Sequence, residues 1–274
     1  MTSFVKRRIL NASLLLLVLA GVGYYVRLRG ESLGSSAFST GYLLLGALFF
    51  LALYNVRKKL PFLPLGSSAA WLQLHIYVGV GTIGVFALHA RTAWPSGWLD
   101  ACLGGVYFLT VGSGLAGLYL TRTIPAQLAR VSEEVIYERI PAFRRQVHRQ
   151  ADDVVLESVS ASGATTLADF YTARLYGFFA LSRGWQYLLR PTSAMRRALM
   201  SEMQDLKRYL SEQEQAGCER LFTLVRRKDD LDFHDARQKV LKLWLFAHIG
   251  LTYALLLLAV MHGLLAHAFN GGAP

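Results

Sequence analysis

The chain has 274 residues, of which 53% are hydrophobic, and a formal net charge of +11. Its mean hydropathy is +0.33. A basic balance can serve nucleic acid, but here the basic residues flank apolar runs or sit among acids. The pattern therefore reads as a membrane protein carrying a polar part, with no nucleic-acid partner. Two cysteines, Cys102 and Cys218, stand far apart. They make neither a zinc site nor an iron–sulfur ligand set, and without a Cys-x-x-Cys-His motif no covalent haem is expected.

Five segments read as transmembrane helices from length and apolarity. The first covers 9–26. Lys6, Arg7 and Arg8 precede it as in a signal peptide, but no convincing small-x-small cleavage site follows, and Tyr24-Tyr25 suits an interfacial anchor. An uncleaved helix is expected. The second span covers 40–56 and ends in Arg57-Lys58-Lys59, the third covers 70–90, and the fourth 99–120. The fifth covers 240–269.

Residues 122–239 form a polar insert with nineteen Lys and Arg against sixteen Asp and Glu. Such a balance suits a folded, solvated helical domain. Pro125 and Pro141 suit the first turns of helices, or a break between two helices, over 125–159, and Ser160–Ala164 reads as a loop. A further helix pair is expected over 167–183 and 192–227. Asp230 or Asp232 is placed to cap a helix running into the fifth span. The aromatic run Phe170–Leu189 should pack on the insert's own core or on the membrane surface. No phosphate loop, nucleotide fingerprint or catalytic motif occurs. The chain thus divides into a membrane domain (1–121), the insert (122–239) and a closing span (240–274).

Charge near the spans predicts orientation. The dense groups Lys6–Arg8 and Arg57–Lys59 lie on one side, and Arg27, Arg29 and Arg91 on the other. This places the N-terminus and the insert in the cytoplasm and the C-terminus outside, in a bacterial inner membrane.

The third and fifth spans carry the chemistry. His75 and His89 are fourteen positions apart, and so are His248 and His262. Fourteen residues of α-helix rise about 21 Å and return to within about 40° of the starting direction. Each helix then presents one histidine near either end of the membrane core. With both spans running the same way, His75 should meet His248 at the inner level and His89 should meet His262 at the outer level. Ionisable residues inside membranes are costly and mark function. Two imidazoles can fill both axial positions of a haem iron, which leaves electron transfer rather than oxygen activation as its chemistry. His75, His89, His248 and His262 are therefore the expected ligands of two non-covalent b-type haems. His267, five residues beyond His262, competes with it. His148 and His234 read as surface residues of the insert.

At offsets of four, seven and eleven from each first histidine stand Gly79, Thr82 and Phe86, and Thr252, Leu255 and Ala259. Small residues there, Gly79 foremost, would leave room for a flat macrocycle or for helix packing. Ala101, Gly105, Gly112 and Ala116 share one face of the fourth span and would approach either a porphyrin edge or another helix. Arg91 could meet a haem propionate at the outer level, and Arg237, Lys242 and Arg57–Lys59 at the inner one.

The paired His-x13-His pattern resembles the di-haem bundle of the respiratory cytochrome b family, over the second to fifth spans. By position, His75, His89, His248 and His262 match that family's axial ligands. The expected fold is an all-α membrane protein with five transmembrane helices and a helical cytoplasmic insert, to which the resemblance adds a four-helix di-haem bundle. The chain departs from the family in its long insert, its lack of a Pro-Glu-Trp-Tyr quinol motif and its inverted orientation. A quinol-bifurcating site is not expected. The expectation is an electron conduit between a redox protein partner and the quinone pool, a subunit of an oxidoreductase complex rather than a stand-alone enzyme. The rivals are an outer-face reductase of ferric iron or oxygen species and a non-redox membrane scaffold.

Overall fold

A computed structural model describes residues 3–31, 36–59, 67–90, 97–131 and 135–270. These are helical almost throughout, with no strand among them. Ten helices follow in chain order: α1 (Ser3–Glu31), α2 (Ala37–Lys59), α3 (Ser68–Ala90), α4 (Trp98–Leu128), α5 (Ile140–Ser162), α6 (Thr166–Phe170), α7 (Tyr176–Ala180), α8 (Trp185–Leu189), α9 (Ala194–Leu206) and α10 (Glu212–Asn270). Five of them, α1 to α4 and α10, are long and apolar enough to cross a membrane. Their outer surfaces carry exposed Leu17, Leu53, Phe246, Leu257 and Leu264. In water such a surface would be untenable, so the chain has the character of an integral membrane protein in contact with lipid.

The chain forms two compact units, one from residues 1–116 with 246–274, the other from 117–245. In the first unit α3 packs on α1 through glycine. A Cβ on Gly81 would lie 2.9 Å from Leu15 Cδ1, and one on Gly84 2.8 Å from Leu19 Cδ2. Hydrocarbon solvent gives apolar helices no reason to associate, so close backbone approach supplies the packing. Leu48, Tyr107 and Leu255 form a buried cluster here, joined by Phe86, Val106 and Ala259.

The second unit has its own core, built on Ile140, Val147, Leu175, Met203, Leu221 and Val225. Pro141 stands at the start of α5, as expected, and Gly163 ends that helix with φ 66°. Only glycine enters that left-handed region freely. Pro125 instead lies inside α4, which continues to Leu128. The expected helix over 167–183 is broken by a π-turn at Tyr171–Leu175. Tyr171 there donates a 2.6 Å hydrogen bond to Asp152 Oδ1. The expected helix over 192–227 is also broken, ending at Leu206 before a 3-10 turn at Lys207–Tyr209.

Neither Asp230 nor Asp232 caps a helix, because α10 runs unbroken through both. Its start is a capping box. Glu214 Oε2 accepts from the Ser211 amide at 3.1 Å and hydroxyl at 3.0 Å, while the Glu214 amide donates to Ser211 Oγ at 3.4 Å. The Ser-x-x-Glu spacing was legible in the sequence. Asp232 instead has a side chain 0% exposed that holds Lys228 at 2.7 Å, Arg144 at 2.6 Å and Arg183 at 3.2 Å. His234 is buried rather than at the surface. His148 is half-buried, its ring 5.3 Å from that of Tyr176.

Candidate functional site: two histidine pairs

The site lies within the first unit. The repeat of fourteen places His75 and His89 at two levels of α3, and the same repeat places His248 and His262 at two levels of α10. The expected partners meet. The His75 and His248 rings have centroids 6.4 Å apart, and the His89 and His262 rings 6.5 Å apart. The rings do not stack, since their planes cross at 72° and 83°. Two histidines in ordinary van der Waals or hydrogen-bonded contact need no such matched spacing at two levels. Two metal–nitrogen bonds of about 2 Å each, with the half-widths of two imidazoles, also sum to roughly 6 Å.

His267 is drawn elsewhere. It hydrogen-bonds to Tyr42, and its ring lies 5.0 Å from that of Phe38. Both partners belong to α2, which leaves His262 facing His89.

Oxygen atoms orient three of the four rings. Ser113 Oγ donates to the Thr110 carbonyl at 2.9 Å and lies 2.6 Å from His248 Nδ1. Ser113 is thus a hydrogen-bond partner of His248 Nδ1. Thr40 repeats the device, donating to the Ser36 carbonyl at 2.9 Å and standing 3.0 Å from His89 Nδ1. His262 Nδ1 lies 3.1 Å from Asp100 Oδ1. Each of these oxygens stands beside a ring Nδ1, where a partner fixes the orientation of an imidazole. Serine and threonine can be spared for this inside a helix because their hydroxyls satisfy themselves on the preceding turn.

Gly41 gives one ring room, since a Cβ there would come within 3.2 Å of His89 Cε1, whereas one on Gly114 would make ordinary contact with His248 Cε1 at 3.6 Å. Gly79 has a different neighbour, since its added Cβ would touch Leu51 at 4.0 Å. Thr82, Phe86, Leu255 and Ala259 lie along the facing surface as expected. Leu255, Phe86 and Ala259 belong to the buried cluster with Leu48 and Tyr107, and Tyr107 donates to Thr82 Oγ1 at 3.3 Å. The face of Ala101, Gly105, Gly112 and Ala116 is exposed. The opposite side of α4, with Tyr107, Ser113 and Gly114, meets the site.

Arg91 lies outside the described residues, as do the side chains of Arg57–Lys59. In the second unit Lys242 is engaged by Glu138 at 2.8 Å and sits over the Tyr137 ring. Arg237 lies over Phe233. Sequence reasoning missed Thr40, Ser113, Asp100, Gly41 and Gly114. Of these only Asp100 had a visible signal, because Glu31 and Asp100 are the two acidic residues outside 122–239.

A cavity of about 410 Å³ adjoins the His89 level, between α1 and α2. Val18, Gly21, Val22 and Leu43 make its apolar wall, and Tyr25, Ser39 and Thr40 its polar end. Tyr25 Oη is 3.1 Å from Ser39 Oγ and accepts from Arg29 Nε at 3.2 Å.

Among the described residues no group of three or more His, Cys, Asp or Glu side chains converges on one point. No family model, curated protein or solved structure matches the chain.

Proposed function

We propose that the chain is a di-haem b-type cytochrome that moves electrons across the membrane between a redox protein partner and the quinone pool. The observation that carries this reading is the pair of His–His separations, 6.4 and 6.5 Å, one on each level of the same two helices.

The residues fit the groups they would hold. His75 and His248 would hold one haem, and His89 and His262 the other. Each haem would supply reversible one-electron iron chemistry, and two histidines per iron would favour electron transfer over oxygen binding. Ser113, Thr40 and Asp100 stand beside Nδ1 of three of the rings and would fix their orientation. Gly41 keeps the approach to the His89 ring clear. Between the levels, Leu48, Tyr107 and Leu255 exclude water and keep the surroundings at low dielectric.

The amphipathic cavity beside Thr40 supports the quinone half of the reading. Its volume falls in the range of small-molecule sites. Its apolar wall suits a ring and tail, and its hydroxyls suit a carbonyl. Positive flanking charge supports a cytoplasmic N-terminus and insert, and the insert's separate core suits a docking platform for the protein partner. One observation favours an outer-face reductase as the second reading: His262 and Asp100 have side chains 37% and 35% exposed, more open than a sealed relay needs.

The test is a reduced-minus-oxidised visible spectrum of the purified chain, with haem and protein quantified on the same sample. Two low-spin b-type haems per chain are expected. His75→Ala should remove one of them and spare part of the other. A colourless chain from haem-replete cells would refute the reading and leave the scaffold.

A further inference from the structure

The second unit holds a cavity of about 410 Å³, lined by Arg196, Arg197, Met200 and Arg226. The first three belong to α9, where Met200 follows the two arginines by one helical turn, and Arg226 comes from α10. Three guanidinium groups meet here with little to neutralise them. Arg226 has neither a hydrogen bond nor an ion pair among the described residues and acts on Asp230 only at longer range. Arg197 donates to a neutral group, Ser193 Oγ, at 2.5 Å. Arg196 reaches Asp229 at 3.4 Å and Asp230 at 3.5 Å, long beside the roughly 2.7–2.9 Å of a strong charge-assisted bond. Asp229 is itself engaged by Arg183 at 3.0 Å. Both α9 arginines also stand in a first turn that carries no acid, where the helix dipole disfavours a cation. Solubility alone gives no reason to gather three cations around one hollow, because like charges repel.

We propose that this cavity binds a phosphate ester, with the phosphate held by Arg196, Arg197 and Arg226 and the organic part lying over Met200. The site is independent of the di-haem reading. A guanidinium presents a planar fork of donors that fits two oxygens at once. One fork is enough for a carboxylate. A phosphate monoester carries three terminal oxygens and nearly two negative charges, which is what three forks from two helices match. The volume exceeds the needs of the phosphate alone and falls in the range of small-molecule sites. Two sources share this chemistry at a membrane protein: a soluble phosphate ester and the headgroup of an anionic lipid.

The experiment is a calorimetric titration of the full-length protein, in phosphatidylcholine nanodiscs at fixed ionic strength, with phenyl phosphate and with benzoate. Wild type should bind phenyl phosphate saturably, at one site per chain and more tightly than benzoate. Arg226→Gln should weaken that binding about tenfold, and Arg226→Lys should show most of the loss, because an ammonium lacks the fork. Arg227→Gln removes the same charge at the next position, outside the cavity, and should bind like wild type. Arg226 is exposed, so these variants should keep the wild-type thermal midpoint. The absence of saturable phenyl phosphate binding by wild type overturns the proposal. Equal weakening in Arg226→Gln and Arg227→Gln overturns it too, since that reports net charge and not a site, and so does benzoate binding as tightly as phenyl phosphate. Phosphatidic acid added to the nanodiscs separates the two sources, both of which uphold the site. A lipid headgroup in the cavity weakens phenyl phosphate binding more in wild type than in Arg226→Gln, whereas a site for soluble esters is weakened equally in both.

Discussion

Replacing Asp232 by asparagine should destabilise the polar unit more than any other single charge change in it. The carboxylate is 0% exposed and is shared by Lys228 at 2.7 Å, Arg144 at 2.6 Å and Arg183 at 3.2 Å. The amide keeps the shape and removes the charge. Arg144 would still have Asp235 at 3.0 Å, and Arg183 would still have Asp229 at 3.0 Å. Lys228, with a side chain 1% exposed, would keep only the Leu181 carbonyl at 3.2 Å and the Phe178 ring. A buried charge stranded in this way costs roughly 3–5 kcal/mol. At roughly 3 °C per kcal/mol, the unfolding midpoint of this unit should fall by about 10 °C. Lys228→Met is the control. It removes the stranded cation instead and leaves Asp232 with two arginines, so it should stay within about 1 kcal/mol of wild type. The midpoint can be read on the full-length protein in detergent by limited proteolysis at stepped temperatures, scoring cleavage within 140–245. Equal losses from the two substitutions would refute the reasoning, because they would mean that the network's charges are not individually compensated.

Ser113→Ala should remove the hydroxyl 2.6 Å from His248 Nδ1 and weaken haem binding roughly ten- to a hundredfold, measured by haem titration of apoprotein; Thr40→Val should do the same at the other level. Tyr187 supplies a pH dependence. Burial, then the Asp229 charge, pushes its phenol up to about 12. The fold thus favours the neutral phenol, and that contribution is complete below about pH 10, the unfolded value. It is lost as pH rises from there through the folded value. Thermal midpoints of wild type should therefore fall more steeply between pH 10 and 12 than those of Tyr187→Phe, and parallel slopes would count against it.

Much of the site was legible before any tertiary structure. Periodicity and apolar length marked five spans, and a repeat of fourteen with 3.6 residues per turn puts two histidines near one face whatever surrounds them. The pairing of His75 with His248, and of His89 with His262, followed from two such helices running the same way. The ends of elements were less legible. Pro125 reads locally as a helix start, yet α4 carries it in its last turns, where the ring disturbs few remaining hydrogen bonds. Asp232 reads locally as a cap, yet buried cations claim it.

What the tertiary structure alone decided are the contacts between residues distant in the chain. Thr40 reaches His89 across 49 positions and Ser113 reaches His248 across 135. Nothing local distinguishes either hydroxyl from the other serines and threonines of the spans. The same holds for Gly41 and Gly114 against Gly105 and Gly112: small residues look alike in sequence, and only the rotation of each helix about its axis decides which face a ring and which face lipid. Helix rotation is a sum of weak packing preferences over whole surfaces. The histidine repeat, by contrast, is a property of one helix and survives any rotation, so the sequence by itself determined the two levels and the tertiary structure determined what holds each ring.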